Sequence, residues 1–150
     1  MTGLRPVVQI MFSDFTFLAM EMIANQAGQW HHMSRGALRV PMVIEAPCGA
    51  RGGAGYGHSQ SIEALYAHTP GWLIAYPSNA EDAKGLIKTA CRLDDPVLFL
   101  EHKGLYRQVF SKSPEPDAEF LVPFGRARLV QEGRDATVVT WGSGVHRASQ

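Results

Sequence analysis

Gly71-Trp72-Leu73-Ile74-Ala75-Tyr76-Pro77 is followed by Ser78-Asn79-Ala80-Glu81, by apolar positions at Leu86, Ile87, Ala90 and Cys91, and by Pro96-Val97-Leu98-Phe99-Leu100-Glu101. This succession of strand, helix and strand decides the fold. The first and last pieces are short apolar runs between Gly, Pro and Asp signals, the pattern of buried strands. Ser78-Asn79-Ala80-Glu81 matches a capping box, with the serine capping the first turn and the glutamate reaching back. Asp94-Asp95 ends the helix.

The same rhythm extends towards the N-terminus. Pro6-Val7-Val8-Gln9-Ile10-Met11 reads as a first buried strand. Ser13 or Asp14 caps a helix in which Phe15, Leu18, Ala19, Met22 and Ile23 form a packed face. Glu21 is the only charge between Asp14 and Arg35, which predicts a helix covered on more than one side. Val40-Pro41-Met42-Val43-Ile44-Glu45-Ala46-Pro47 is the next strand, and a helix opens at Ser59 or Gln60 and runs to about His68. The fold class is therefore α/β, a parallel sheet covered by helices on both faces.

The texture changes after Tyr106. Lys112-Ser113-Pro114-Glu115-Pro116-Asp117 reads as an exposed linker. Arg126 to Val130 and Ala136 to Trp141 flank Gly133-Arg134-Asp135 and predict a hairpin or strand pair. Gly142-Ser143-Gly144 opens a helix only a turn or two before Gln150, so this end reads as a cut, and the other end is also abrupt.

With 150 residues, a formal net charge of +0, 45% hydrophobic and 19% charged residues, the chain is globular and long enough for a sizeable core. Neutrality argues against nucleic acid, which needs a basic face, and against an electrostatic membrane patch. No apolar run spans a membrane, and Met1 to Pro6 lacks the apolar stretch of a signal peptide. Cys48 and Cys91 are far apart, so reduced thiols are expected.

The chemistry centres on Gly52-Gly53-Ala54-Gly55-Tyr56-Gly57-His58-Ser59-Gln60. Glycines let backbone approach a ligand closely, and histidine is the side chain that trades protons near neutrality. The glycines fit neither the dinucleotide nor the P-loop pattern, and no Ser or Cys nucleophile motif is present. His58 is thus a candidate general acid/base or oxyanion partner; the bland reading is a loop histidine bonded to a carbonyl. Adjacent His31 and His32 point to different sides of a helix, so no shared metal is expected there or with His68. Met11, Phe12 and Phe15 lie at a strand's carboxyl end, where open α/β sheets bind ligands, and could stack on a planar heterocycle; on sequence alone the reading as simple core residues is favoured.

These segments together resemble the β subunit of the thiamine diphosphate-dependent 2-oxo acid dehydrogenases, the E1 component. The resemblance is carried by Gly3-Leu4-Arg5-Pro6-Val7-Val8, Asn25-Gln26-Ala27, His58-Ser59-Gln60, Tyr66-Ala67-His68-Thr69-Pro70-Gly71, Glu81 to Leu86 and Asp95 to Phe99, in the family's order and spacing. It implies a transketolase-like pyrimidine-binding domain over residues 1–105, a linker over 106–135, and the start of a C-terminal domain at 136–150. It further implies thiamine diphosphate between this chain and an E1 α subunit. Met11 and Phe15 would flank the aminopyrimidine, and His58 would act in proton transfer or in acylation of a lipoyl group. Mg2+ would come mainly from the α side. A structural K+ would sit on main-chain oxygens of Met42, Ala90, Cys91, Leu93 and Asp95. The implied partners are the α subunit, a second β subunit and the lipoyl domain of the E2 acyltransferase, in the bacterial cytoplasm or the mitochondrial matrix. The family's glutamate upstream of Gly-Leu-Arg-Pro has no counterpart here, so the chain reads as a fragment.

Glu101-His102-Lys103-Gly104-Leu105-Tyr106-Arg107 resembles branched-chain and acetoin-type enzymes more than pyruvate-type ones, and leans the reading towards 2-oxoisovalerate. The alternatives are a pyruvate or acetoin dehydrogenase β subunit, another transketolase-type enzyme, and a non-catalytic assembly fragment.

Overall fold

A computed structural model describes residues 2–150, so Met1, where the reading of the first six residues begins, lies outside them. Four strands, β1 (Val7–Gln9), β2 (Val43–Cys48), β3 (Leu73–Ala75) and β4 (Val97–His102), form one parallel sheet in the order β1-β2-β4-β3. β2 and β4 are central and pair over their full length, from Val43 with Val97 to Cys48 with His102. Parallel strands need crossovers, and helices supply them: α1 (Trp30–Met33), α2 (Glu63–Ala67) and α3 (Ala80–Ala90), with α4 (Ser143–Ala148) near the end of the chain.

Side-chain alternation divides the core in two. Ile44, Ala46, Cys48, Leu98 and Leu100 join Ile23, Ile62 and Tyr66 on one face. Val43, Val97 and Phe99 join Ala75 and Ala90 on the other, against half-buried Ala83, Leu86 and Ile87 of α3. β1 departs from its predicted burial: Val7, Val8 and Gln9 are all exposed, because β1 is an edge strand with one neighbour.

The capping residue of α3 is Asn79, one position later than the capping box places it; its side chain accepts the Asp82 N–H at 2.7 Å. α2 begins at Glu63, later than Ser59 or Gln60, because the chain between β2 and α2 is spent on the glycine loop.

The segment after β1 differs most from its reading. It is a 3₁₀ helix, Ser13–Ala19, running into a π-helix, Glu21–Ala27. At three residues per turn, i and i+3 eclipse, so Ser13 and Thr16 are the fully buried pair. The face predicted at 3.6 residues per turn is broken: Leu18 is 88% exposed and Met22 63%, while Ile23 is buried.

The stretch read as an exposed linker is strapped along α3. The Glu81 N–H donates to Ser113 Oγ at 2.7 Å, Lys84 to Pro116 O at 2.8 Å and Lys88 to Phe120 O at 2.9 Å. Gly85 permits this, since a Cβ there would meet Val122 Cγ2 at 2.5 Å. The predicted hairpin over 126–141 is absent: no strand forms there among the described residues, and Leu129, Val138 and Val139 are exposed, with no second layer to pair or cover them.

Candidate functional site

Strand order brings three connections to one edge. β1, β2 and β4 are neighbours, so the chain leaving each emerges at the same carboxyl edge of the sheet. β1 delivers Met11, Phe12 and the 3₁₀ helix; β2 delivers the glycine loop with His58; β4 delivers Lys103 and Tyr106. Such an edge is where ligands of parallel sheets bind.

The loop from Gly49 to Gln60 is closed at its neck, where the Gly49 N–H donates to Gln60 O at 2.9 Å. Gly49 has φ +76° and lies on the His102 ring, where a Cβ would come within 2.5 Å of Nε2. At the tip Gly52 and Gly53 take φ +63° and +68°, the left-handed region that glycine enters without strain. The neck is tied to the 3₁₀ helix: the Gln60 N–H donates to Asp14 Oδ1 at 3.2 Å and Ser13 Oγ to Gln60 O at 3.4 Å. This explains why polar Ser13 and Asp14 are buried; they hold the loop.

His58 closes a short 3₁₀ turn, Tyr56–His58, and is half-buried. Its ring meets Phe12 and Phe15 edge-on, each at 5.3 Å between centroids. Among the described residues no hydrogen bond engages either ring nitrogen of His58. Phe15 is 36% exposed and Met11 57%, so these residues form an open rim and not core. Met11, Phe15 and His58 thus lie at the same edge. Sequence reasoning missed Asp14, Arg51 and Lys103, which anchor the loop; the glycine run signals a loop needing anchors but does not say what they are.

Cys48 ends β2 beneath this edge and is fully buried. Burial pushes its thiol up to about 11, against the lowering effect of its bond to Tyr76; the thiol donates to Tyr76 Oη at 3.1 Å. A thiol held protonated is no nucleophile, and both cysteines are free. His102 stacks on Tyr76 at 6.4 Å and accepts the Gly104 N–H at Nδ1; burial lowers its pKa. On the α3 face a hydrogen bond to Glu101, then burial, raises Glu45 to about 7, and the Tyr106 hydroxyl donates to Glu101. A cavity of about 260 Å³ beside Glu101, lined also by Asn79, Phe99 and Ser111, contains none of Phe12, Phe15 and His58.

Met42, Ala90, Cys91, Leu93 and Asp95 gather at the opposite edge of the sheet, where α3 ends and β2 and β4 begin. Met42 O accepts the Val97 N–H at 2.9 Å and Ala90 O the Leu93 N–H at 3.2 Å. Leu93 O accepts Arg5 Nη1 at 2.6 Å, and Arg5 also pairs with Asp94. Each bonded carbonyl keeps a second lone pair, so a monovalent cation retains acceptors there, in competition with the Arg5 guanidinium. Among the described residues no group of three or more His, Cys, Asp or Glu side chains is placed to hold a metal, and no helix is long and apolar enough to cross a membrane.

The family model for the transketolase pyrimidine-binding domain matches residues 1–109. The chain is 44% identical over 149 residues to the mitochondrial pyruvate dehydrogenase E1 component subunit beta-1 of Oryza sativa subsp. japonica, covering 99% of this chain and 40% of that one. It is 41% identical over 150 residues to the 2-oxoisovalerate dehydrogenase subunit beta of Bacillus subtilis (strain 168), covering 100% and 45%. It is 40% identical over 146 residues to the acetoin:2,6-dichlorophenolindophenol oxidoreductase subunit beta of Cupriavidus necator, covering 97% and 42%. The chain therefore spans less than half the length of these relatives. A solved structure described as a split gene transketolase, inactive beta4 tetramer, superposes with a TM-score of 0.63 at 25% identity, over 89% of this chain and 39% of that one.

Proposed function

The chain belongs to the transketolase pyrimidine-binding domain family, and on that premise we propose that it is the cofactor-facing part of a 2-oxo acid dehydrogenase E1 β subunit. The observation that carries this is His58, held edge-on between Phe12 and Phe15 at the carboxyl edge with both ring nitrogens uncommitted. The exposed faces of Phe15 and Met11 suit a flat heterocycle, and the aminopyrimidine of thiamine diphosphate is the one proposed. When bound, that cofactor supplies the carbon nucleophile and electron sink for decarboxylation. The chain's own residues orient and protonate: Phe12 and Phe15 shield two sides of the imidazole from water, and His58 moves a proton at a ring nitrogen during acyl transfer to a lipoyl group. Diphosphate and Mg2+ are assigned to an α-type partner.

The substrate proposed is a 2-oxo acid, with a preference for the branched-chain 2-oxoisovalerate that rests on Glu101 to Arg107 alone; relatives named for pyruvate, 2-oxoisovalerate and acetoin enzymes lie at 44%, 41% and 40% identity. The exposed Phe17, Leu18 and Met22 are assigned to the α subunit and a second β subunit, and the lipoyl domain of E2 is the acyl acceptor. A structural K+ is proposed at Met42, Ala90, Cys91, Leu93 and Asp95. The compartment proposed is the bacterial cytoplasm or mitochondrial matrix.

The test is reconstitution of the full subunit with an α-type partner, thiamine diphosphate and Mg2+, offered 2-oxoisovalerate, pyruvate, acetoin or a sugar phosphate. His58→Ala lowers lipoyl acylation by about 10²- to 10⁴-fold, the range of general acid–base catalysis, and leaves the fold intact. Unchanged turnover removes His58 from the mechanism. A second reading, a non-catalytic assembly module, is favoured by the apolar residues turned outward from the 3₁₀ and π segment; absence of a saturable cofactor signal in the complete assembly would select it.

A further inference from the structure

Lys103 is the one lysine that the fold buries: it is 8% exposed, where most lysines lie on the surface. Its ammonium has no carboxylate partner among the described residues; the ion pairs found there are Arg5–Asp94, Lys84–Glu115 and Arg128–Asp82. A buried charge is retained only where its surroundings compensate it. Here the surroundings are the main-chain oxygen of His58, to which Nζ donates, and the face of the Phe12 ring, whose centroid is 4.1 Å away. Both belong to the constellation described above. Phe12 is one of the two rings packed on the His58 imidazole, and the His58 carbonyl lies on the same residue as that imidazole.

The turn that carries Lys103 grips the other limb of the loop as well. Arg51 Nη1 donates to Lys103 O at 2.9 Å and to Tyr106 O at 2.9 Å. The loop from Gly49 to Gln60 therefore straddles this turn: Arg51 fastens its first limb, Lys103 its last, and the Gly49–Gln60 bond closes its neck. A loop this rich in glycine has high conformational entropy to lose. Without the Lys103 strap, the limb that carries the imidazole would be held by the neck, the turn bond from the His58 N–H to Gly55 O and the aromatic edges, with Arg51 fastening only the other limb.

We propose that Lys103 is the positioning residue of the site: it sets the place of the His58 ring through the His58 carbonyl and the Phe12 face, and touches neither substrate nor cofactor. This rests on the functional reading of His58. It also gives Glu101-His102-Lys103-Gly104 a role besides substrate preference, since the strap reaches the residue that carries the acid/base group.

The experiment uses the full-length subunit in its α/β assembly with thiamine diphosphate and Mg2+. Lys103→Met keeps length and removes both donor and charge. It is expected to lower kcat for lipoyl acylation by about 10²-fold, the effect of a displacement near 1 Å, with KM for the 2-oxo acid within about threefold. Amide hydrogen exchange of residues 50–59 should accelerate by about tenfold as the limb opens locally, with exchange in β2 and β4 unchanged. Lys103→Arg keeps a cation and donors and should recover most of both. Native kcat together with native loop exchange in Lys103→Met overturns the proposal, as does an equal loss in Lys103→Arg and Lys103→Gln, the pair that decides if the methionine variant does not assemble. His58→Ala with full turnover would defeat the functional reading instead, while the exchange measurement still decides whether Lys103 holds the loop.

Discussion

The two faces of the sheet are built on opposite plans. On one, α3 presents half-buried Ala83, Leu86 and Ile87 to Val43, Val97 and Phe99, spends Lys84 and Lys88 on the segment strapped along it and is capped by Asn79. On the other, the 3₁₀ segment turns Ser13, Asp14 and Thr16 inward and leaves Phe15, Phe17 and Leu18 outward. The first plan is complete within this chain. The second ties Ser13 and Asp14 Oδ1 to Gln60 and the Thr16 hydroxyl to Ser13 O, but leaves Asp14 Oδ2 without a hydrogen-bond partner among the described residues and its apolar surface outward. Apolar surface grouped in this way marks interaction. The lesson is that the two faces are finished differently: the α3 face is packed by this chain's own residues, and the other carries the outward apolar side chains proposed above for partner contact.

The sharpest way to break this comparison is to truncate one aromatic on each face. Phe99→Ala, in the core against α3, should cost about 3–5 kcal/mol in urea unfolding. Phe17→Ala should stay within about 0.5 kcal/mol and show its effect in association with the partner instead. Equal costs would mean that the outward face is stabilised within the chain after all. Next in size, Asn79→Ala removes the α3 cap and should cost about 1 kcal/mol, more than Ser78→Ala; the reverse order would return the cap to Ser78. The smallest effect is a pH dependence on the α3 face. The Glu45 carboxyl, held up to about 7 by its hydrogen bond to Glu101 and then by burial, binds its proton more tightly folded than unfolded. Its stabilisation is thus full below about pH 4.5 and lost as pH rises through about 7. With Glu45 partly open to solvent, the change amounts to about 1 kcal/mol or less. Glu45→Gln should flatten that slope in unfolding curves taken across the window.

Much of the architecture was legible beforehand because strands and helices write their period into the sequence. β2, β3, β4 and α3 lie where apolar runs and punctuation put them, and the rim of Met11, Phe15 and His58 follows from strand ends. Three readings failed for identifiable reasons. The packed face at Phe15, Leu18 and Met22 assumed 3.6 residues per turn, and the backbone supplies three and then more than four. The burial of β1 assumed two neighbours where it has one. The hairpin over 126–141 assumed a pairing that its alternation permits but no second layer enforces. The anchoring roles of Asp14, Arg51 and Lys103 could not be read, because a polar residue's partner far along the chain leaves no periodic trace.

What the sequence determined by itself is local: which stretches extend, which coil, where glycine frees the loop, and that an imidazole stands at its end. What only the tertiary structure decided is which distant residues meet, namely that β1, β2 and β4 empty onto one edge and that an ammonium from position 103 lies against the carbonyl of position 58. The physical reason is range. Backbone propensity and apolar period act over a few residues, whereas strand order and the compensation of a buried charge are settled by the packing of the whole chain.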